Sequence, residues 1–342
     1  MSKTMNIPVF IPHNGCPNDC VFCNQRKISG LKESEDLDQV RRFIQDSIDS
    51  SNGRSDIEIA FFGGSFTGLD RDVQKAYLEM GTKFVKEYNL RGIRMSTRPD
   101  YITQEIMEFL SKYPVSSIEL GVQSLNEKVL KASKRNHSVS HVIKAVDLIK
   151  NKNIELGLQM MIGLPQDNMT YVEETLNKII GFEPSTVRVY PTLVIKDTEL
   201  EELYLKGLYT PLTLEEAVDQ VANILPEFAK HNITVLRVGL QANEGLNSGD
   251  YIAGPYHPAF KELVMDRIIY KTVHKKILEL GLSGKIIIQG NSKIFNRLIG
   301  HRKTNKIAFE KDGFDLVCDD TIKENLVQIR SVKGSTVFPF FF

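Results

Sequence analysis

Three thiols stand together in Cys16-Pro-Asn-Asp-Cys20-Val-Phe-Cys23, directly after the apolar run Ile7-Pro-Val-Phe-Ile11. The C-x3-C-x2-C spacing puts Cys16, Cys20 and Cys23 on one tight loop, and three is the informative number. Four thiolates would close a tetrahedral zinc site or saturate a cubane cluster. Three can hold three irons of a [4Fe–4S] cluster and leave the fourth iron open to bind and activate another molecule. The same triad also allows a three-thiol zinc site, or cysteines that merely occupy a turn, and only structural context decides between them.

A ligand loop needs a scaffold that presents it at a rim, and the rest of the chain is patterned to build one. A polar amphipathic helix is expected over residues 34–49, with Leu37, Val40, Phe43 and Ile44 at helical spacing. Strand patterns then alternate with helical ones. Strands are expected at 56–62, 92–97, 117–123, 154–161 and 186–190, and helices at 70–88, 103–112, 142–150 and 171–180. With the strand before the cysteines this makes six βα-type units, hence a parallel sheet and an α/β fold, a partial (βα)6 barrel of TIM type. No G-x-G-x-x-G follows the first strand, which demotes the doubly wound alternative. After a helix at 214–230 and a further strand at 232–239 the pattern changes. A long helix at 258–280, a strand at 285–288, a short helical piece near 295–299, and strands around Ile307 and at 326–329 predict a small α+β C-terminal extension. The domain reading is a core over residues 1–245 and an extension over 246–342. The apolar end Phe338-Pro-Phe-Phe-Phe342 either docks in a groove or is a loose end.

Parallel sheets place ligand sites at the carboxyl ends of their strands, where the βα loops share one rim. At the end of the second strand stands Gly63-Gly64-Ser65-Phe66. Glycines there let backbone approach a ligand, and strand-end carbonyls accept hydrogen bonds from an ammonium group, although an isolated Gly-Gly is also an ordinary turn. The third strand ends in Met95-Ser-Thr-Arg-Pro-Asp100, which exposes Ser96 and Thr97. Glu119 and Gln123 stand at even spacing on the fourth strand and so point to one face, and Gln159 takes the corresponding face of the fifth. Ribose hydroxyls and adenine nitrogens would satisfy these groups, unless they turn out to solvent. Arg135 offers a planar guanidinium suited to a carboxylate. His137 reads as a helix-cap residue, and Lys131 and Lys134 as a solvated face.

The cysteine triad, with Phe22 just before its last member, resembles the signature of the radical S-adenosylmethionine (SAM) superfamily, and Gly63-Gly64-Ser65 resembles that family's motif for the methionine amino group. The resemblance implies that Cys16, Cys20 and Cys23 bind a [4Fe–4S] cluster whose open iron chelates the methionine moiety of SAM. It further implies that one electron splits the sulfonium and releases a hydrogen-abstracting 5′-deoxyadenosyl radical, the protein supplying orientation and dryness. The SAM contacts it implies are Phe22, Gly63, Gly64, Ser65, Ser96, Gln123, Arg135 and Gln159, with Arg135 toward the methionine carboxylate. Coproporphyrinogen-type members carry acids at the positions of Ser96 and Gln159. A narrower resemblance, over roughly residues 5 to 240, is to the radical SAM domain of the Elp3 family. It rests on residues 20–30, Gly63-Gly-Ser-Phe66, Ser96-Thr-Arg-Pro-Asp-Tyr101, Glu119-Leu-Gly-Val-Gln-Ser124, Gly163-Leu-Pro165 and residues 190–199. That family uses acetyl-CoA to build carboxymethyl-type groups on C5 of wobble uridine in tRNA. Its acetyltransferase loop reads Q/R-x-x-G-x-G/A, and the nearest stretch here, Arg297-Leu-Ile-Gly-His-Arg302, ends the match at Arg302. Roughly 95 residues after Leu246 are also few for such a domain. Acetyl-CoA is therefore not an expected partner.

The 342 residues carry 43 Lys+Arg against 43 Asp+Glu. Such a balance argues against coating nucleic acid by bulk electrostatics and leaves room for a local basic groove. No apolar stretch is long enough to span a bilayer and no signal-peptide pattern opens the sequence, so a cytoplasmic protein without a membrane partner is expected. The leading reading is a radical SAM enzyme acting on tRNA, with an electron donor such as flavodoxin or ferredoxin. Lys293, Arg297, Arg302, Lys303 and Lys306 would then contact phosphates, or else form a solvated surface. Alternatives are the same chemistry on a small molecule such as a tetrapyrrole, or a non-catalytic iron–sulfur or haem-handling protein. Four cysteines, three of them clustered, do not make a disulfide framework. The fourth, Cys318, reads as a buried small hydrophobe rather than a ligand. Anaerobically reconstituted Cys318→Ala is accordingly expected to bind as much iron as the unaltered protein, by iron assay and absorbance. Loss of iron from that variant alone would overturn the three-ligand reading.

Overall fold

A computed structural model describes residues 4–11, 20–24, 36–240 and 250–340. In chain order the elements are β1 (Met5–Phe10), α1 (Leu37–Asp49), β2 (Ile57–Phe62), α2 (Arg71–Glu87), β3 (Gly92–Thr97), α3 (Gln104–Leu110), β4 (Val115–Gln123), α4 (Glu127–Ala132), α5 (Val139–Lys150), β5 (Glu155–Ile162), α6 (Met169–Gly181) and β6 (Thr186–Pro191). There follow β7 (Val194–Ile195), α7 (Glu199–Leu205), α8 (Leu214–Lys230), β8 (Thr234–Val238) and β9 (Tyr251–Ala253). The last are α9 (Phe260–Glu279), β10 (Ile286–Gly290), α10 (Ser292–Ile299), α11 (Thr304–Lys311), β11 (Phe314–Cys318), β12 (Leu326–Ser331) and β13 (Gly334–Pro339). They form two compact units, Met1–Leu212 with His231–Tyr256, and Thr213–Lys230 with His257–Phe342.

In the first unit seven parallel strands lie in the order β1-β2-β3-β4-β5-β6-β8, a partial barrel of the TIM type. Cap residues fix where each helix leaves its loop. Side chains of Asp36, Asp70, Thr103, Asn126, Ser138, Asn168 and Thr198 accept first-turn backbone N–H groups of α1 to α7, which would otherwise lack partners. Strand alternation splits the core in two. Ile57, Ile59 and Phe61 share one face of β2, and Ile118, Leu120 and Val122 one face of β4, all fully buried. Between such positions stand charges, Glu58 on β2, Arg94 on β3 and Glu119 on β4, none more than 3% exposed.

These charges are paired. Arg94 donates to Glu58 Oε2 at 2.7 Å and to Glu119 Oε1 at 3.0 Å, and Arg188 donates to both Glu119 oxygens at 2.6 and 3.0 Å. Gly157 is the register partner of Glu119, and a Cβ there would lie 2.8 Å from Glu119 Cγ, so the glycine leaves the space that the carboxylate side chain occupies. Burial alone would push the Glu119 carboxyl up, but the guanidinia of Arg188 and Arg94 outweigh it and hold the group below the usual carboxylate range.

The second unit has a four-stranded sheet in the order β11-β10-β12-β13. β10 and β11 run parallel through α10 and α11, and β12 and β13 form an antiparallel hairpin. Arg267 on α9 reaches Glu215 and Asp219 on α8, at 2.5 and 2.6 Å. Two sequence expectations change here, and one alternative left open is decided. The strand expected around Ile307 is the helix α11, which buries Asn305 and Phe309 at i, i+4 spacing and leaves Ile307 61% exposed; the strand follows at β11. Cys318 is exposed, because it ends β11, an edge strand, rather than lying in a core. The apolar C-terminal run is built into structure, with Phe338 on β13 and Phe340 2% exposed, while residues 341–342 lie outside the described residues. No helix among the described residues is long and apolar enough to cross a membrane.

Removing Glu119 would leave Arg188 without its carboxylate and Arg94 with Glu58 alone, and breaking one side of a buried pair costs about 3–5 kcal/mol. Glu119→Leu is expected to lower the urea midpoint accordingly at unchanged slope, and Glu119→Gln, which keeps an acceptor, to lose less. Equal midpoints for Glu119→Leu and the unaltered protein would remove this network from the account of the fold.

Candidate active site

Cys20 and Cys23 lie among the described residues; Cys16, with the rest of residues 12–19 and 25–35, lies outside them. Cys20 is 4% exposed and Cys23 half-buried, its N–H donating to Cys20 O at 2.9 Å. The intervening Val21 is clamped from two sides. Its N–H donates to Ser133 O at 3.2 Å, and its carbonyl accepts from Leu200 N at 2.7 Å. Its side chain joins Val194, Leu200 and Tyr209 in an apolar cluster against which Phe22, Leu203, Tyr204, Ile252 and Ala253 pack. The pad is made by α7 and the short pair β7–β9, and Phe22 belongs to it. Sequence reasoning missed the pad because strands of two and three residues carry no readable period.

The strand ends converge as polar groups. Gly63 has φ +110°, and a Cβ there would lie 3.2 Å from Ile11 O, so the backbone turns against the end of β1 as only glycine easily does. Beyond the half-buried Gly64, Ser65 is buried and lies 2.8 Å from Thr97 Oγ1 while accepting from Arg98 N at 3.0 Å. Gln159 donates to Ser96 Oγ at 3.4 Å and to Glu119 Oε2 at 3.1 Å, which ties Ser96 to the charged layer. Gln123 departs from the expected alternation. The β4–β5 register shifts between Gly121 and Gln123, and Gln123 has φ +66°, so even spacing no longer assigns it the face of Glu119. Its Oε1 is buried and has no hydrogen-bond partner among the described residues.

Arg135 joins this rim to the cysteine loop. Nη1 donates to Cys20 Sγ at 3.3 Å and Nη2 to Gly121 O at 2.5 Å, while Nε is buried without a partner. A second guanidinium, Arg98, stands 4.0 Å from the same sulfur and was not singled out from sequence. Its signal was an Arg-Pro-Asp at the end of a strand, which pairs Arg98 with Asp100 at 3.0 Å. Among the described residues no three His, Cys, Asp or Glu side chains form a metal-binding group, the third thiol of the triad being Cys16.

His137 is not the cap it was expected to be. Ser138 caps α5, with His141 completing a capping box, and His137 is 5% exposed, its ring close to the Val122 backbone. Burial first, then the charges of Arg135 and Arg98, push its pKa down to about 3. The unfolded chain, with His near 6.5, binds the extra proton between those values. Stability therefore rises with pH through this window and is lost as pH falls from about 6.5 toward about 3. His137→Phe is expected to flatten that part of the urea-midpoint profile, and parallel profiles for the two proteins would show that His137 titrates normally.

A model of the Radical SAM superfamily matches residues 10–179, and one of the Radical_SAM C-terminal domain matches residues 184–270. An uncharacterised protein of Methanocaldococcus jannaschii is 30% identical over 242 residues, covering 67% of this chain and 72% of that one. The tRNA uridine(34) acetyltransferase of the same organism is 29% identical over 197 residues, 51% of this chain and 36% of that enzyme, so the chain spans about a third of its length. The structure of Methanocaldococcus infernus Elp3 with residues 1–46 deleted superposes with a TM-score of 0.59 at 23% identity, over 82% of this chain and 63% of that one, a likeness of fold. With the cysteine loop and the ends of β2 to β5 all inside the first matched region, the chain belongs to the radical SAM superfamily, enzymes that use a [4Fe–4S] cluster and S-adenosylmethionine.

Proposed function

We propose that the chain binds its cluster through Cys16, Cys20 and Cys23, cleaves SAM reductively, and modifies a wobble-uridine-type base of tRNA. The observation that carries the reading is Arg135, which touches Cys20 Sγ and the Gly121 carbonyl beside the unpartnered Gln123 Oε1. Buried polar atoms without partners are rare in native proteins, and a bound ligand supplies what they lack. The donor set fits the group: thiols on a clamped loop, a cation beside one of them, and a glycine turn open to close backbone approach.

In this reading the strand-end carbonyls at Gly63 and Gly64 receive the methionine ammonium, and Arg135 faces the methionine carboxylate with the N–H groups left over from its two bonds. Ser65 fixes the glycine turn through Thr97. Ser96, Gln123 and Gln159 address the ribose and adenine, and Phe22 covers the cysteine loop. When bound, cluster and SAM supply a 5′-deoxyadenosyl radical that abstracts hydrogen from the substrate. The chain's own part is to bind, to orient and to keep the site dry, which the burial of Cys20, Ser65 and Phe66 serves. A small electron-transfer protein of the flavodoxin or ferredoxin type would deliver the electron.

The tRNA part rests on similarity to a tRNA uridine(34) acetyltransferase over about a third of its length. A feature of the second unit agrees with it. Arg302 and Lys303 are exposed and form no ion pair among the described residues, whereas Lys293 and Lys306 have acidic neighbours Glu324 and Glu310. Acetyl-CoA chemistry is not included.

Reduced, reconstituted protein is expected to release 5′-deoxyadenosine from SAM, with Arg135→Ala weakening SAM binding by about 1.5–3 kcal/mol, the range for a hydrogen bond to a charged group. tRNA binding should weaken with rising salt, and removing both Arg302 and Lys303 should lower that slope by about two. Absence of deoxyadenosine would refute the radical reading, and salt-independent retention would move a small-molecule substrate to first place.

A further inference from the structure

Arg98 touches both halves of the site. It is 3% exposed and sits just past the end of β3. Asp100 takes its Nε at 3.0 Å and its Nη2 at 3.1 Å, a bidentate clamp that fixes the plane of the guanidinium. Held in that plane, Nη2 also donates to the backbone carbonyl of Arg135 at 2.5 Å, and Nη1 points at Cys20 Sγ from 4.0 Å. The backbone N–H of Arg98 donates to Ser65 Oγ at 3.0 Å, in the turn that follows Gly63 and Gly64. One residue thereby joins the glycine turn, the Arg135 loop and a cysteine of the triad.

We propose that Arg98 is a positioning residue that couples cluster and SAM site: it holds the Arg135 loop so that Arg135 reaches Cys20, and it places a second cation beside that sulfur. The inference rests on the reading that Cys20 ligates the cluster. Reduction adds one electron from an external low-potential reductant and makes the cluster more negative, with no bond of the protein made or broken. Positive charge and hydrogen bonds at the ligating sulfurs favour that reduced state and raise the potential. Arginine is required for geometry as well as charge. Its planar fork serves a carboxylate, a carbonyl and a sulfur at once, which the point charge of lysine does not.

The test is a reductive titration of reconstituted protein followed by electron paramagnetic resonance, with SAM affinity measured alongside. Arg98→Met is expected to shift the reduction equilibrium toward the oxidised cluster by about tenfold, which for one electron is about 59 mV, and to weaken SAM binding severalfold. Arg98→Lys should recover much of the potential but not the SAM affinity, since it restores the charge without the fork. Asp100→Asn, which loosens the clamp and keeps the guanidinium, should move both in the direction of Arg98→Met by less. If Arg98→Met does not take up iron, the Lys and Asn variants carry the test. Potentials and affinities in all folded variants equal to the unaltered protein would overturn the inference. An unaltered protein that binds no cluster would instead overturn the reading on which it rests.

Discussion

Two guanidinia packed beside one buried sulfur form an arrangement that burial by itself opposes, and much of the site follows from how that opposition is met. A buried cation needs a partner or costs several kcal/mol. Arg98 has one in Asp100. Among the described residues Arg135 has a thiol and a carbonyl as partners, and its Nε has none. The loops that carry these groups must therefore be held by other means, and they are: Val21 is gripped through both its backbone groups, and its side chain is packed on the pad of β7, β9 and α7.

Beneath the rim lies the second ionic arrangement, Glu58–Arg94–Glu119–Arg188, joined by direct hydrogen bonds. Its chemistry differs from that of the rim. Each member is satisfied within the network, so it adds rigidity and register rather than an open valence. Gln159 and Ser96 link it upward, which means two of the proposed SAM contacts are oriented by Glu119 before any ligand arrives. Preorganisation of this kind lowers the ordering cost of binding.

The alternation of strands and helices in the first unit was legible because its strands bury apolar side chains at period two and α1 to α7 each begin at a Ser, Thr, Asp or Asn whose side chain caps the helix, whereas α9 and α11 of the second unit carry no such cap. The glycine turn after β2 and the clustered cysteines were legible as composition at fixed spacing. Properties set by tertiary neighbours were not. Arg98 looked like one charge in a loop until Asp100, Arg135 and Cys20 were seen around it. Gln123 was assigned a face by counting, and a register shift between strands, invisible in one sequence, broke the count. α11 read as a strand around Ile307 because only Asn305 and Phe309 face inward, too few residues to display a helical period. Cys318 read as buried from its residue type, and its place at the end of an edge strand decides otherwise.

The neutrality of His137 completes the charge count. It lies within the field of Arg135 and Arg98, and burial together with those two cations keeps its imidazole unprotonated. A third positive charge is thus refused. Arg98 is offset by Asp100, which leaves Arg135 as the cation of this cluster without a carboxylate partner among the described residues. Among the described residues the rim is therefore short of negative charge beside Cys20. A thiolate ligand and a substrate carboxylate both bring negative charge, and both are expected at that point by the cluster-and-SAM reading. Charge deficiency and ligand chemistry thus agree at the nitrogen atoms of Arg135 beside Cys20, an agreement that an inert scaffold would not require.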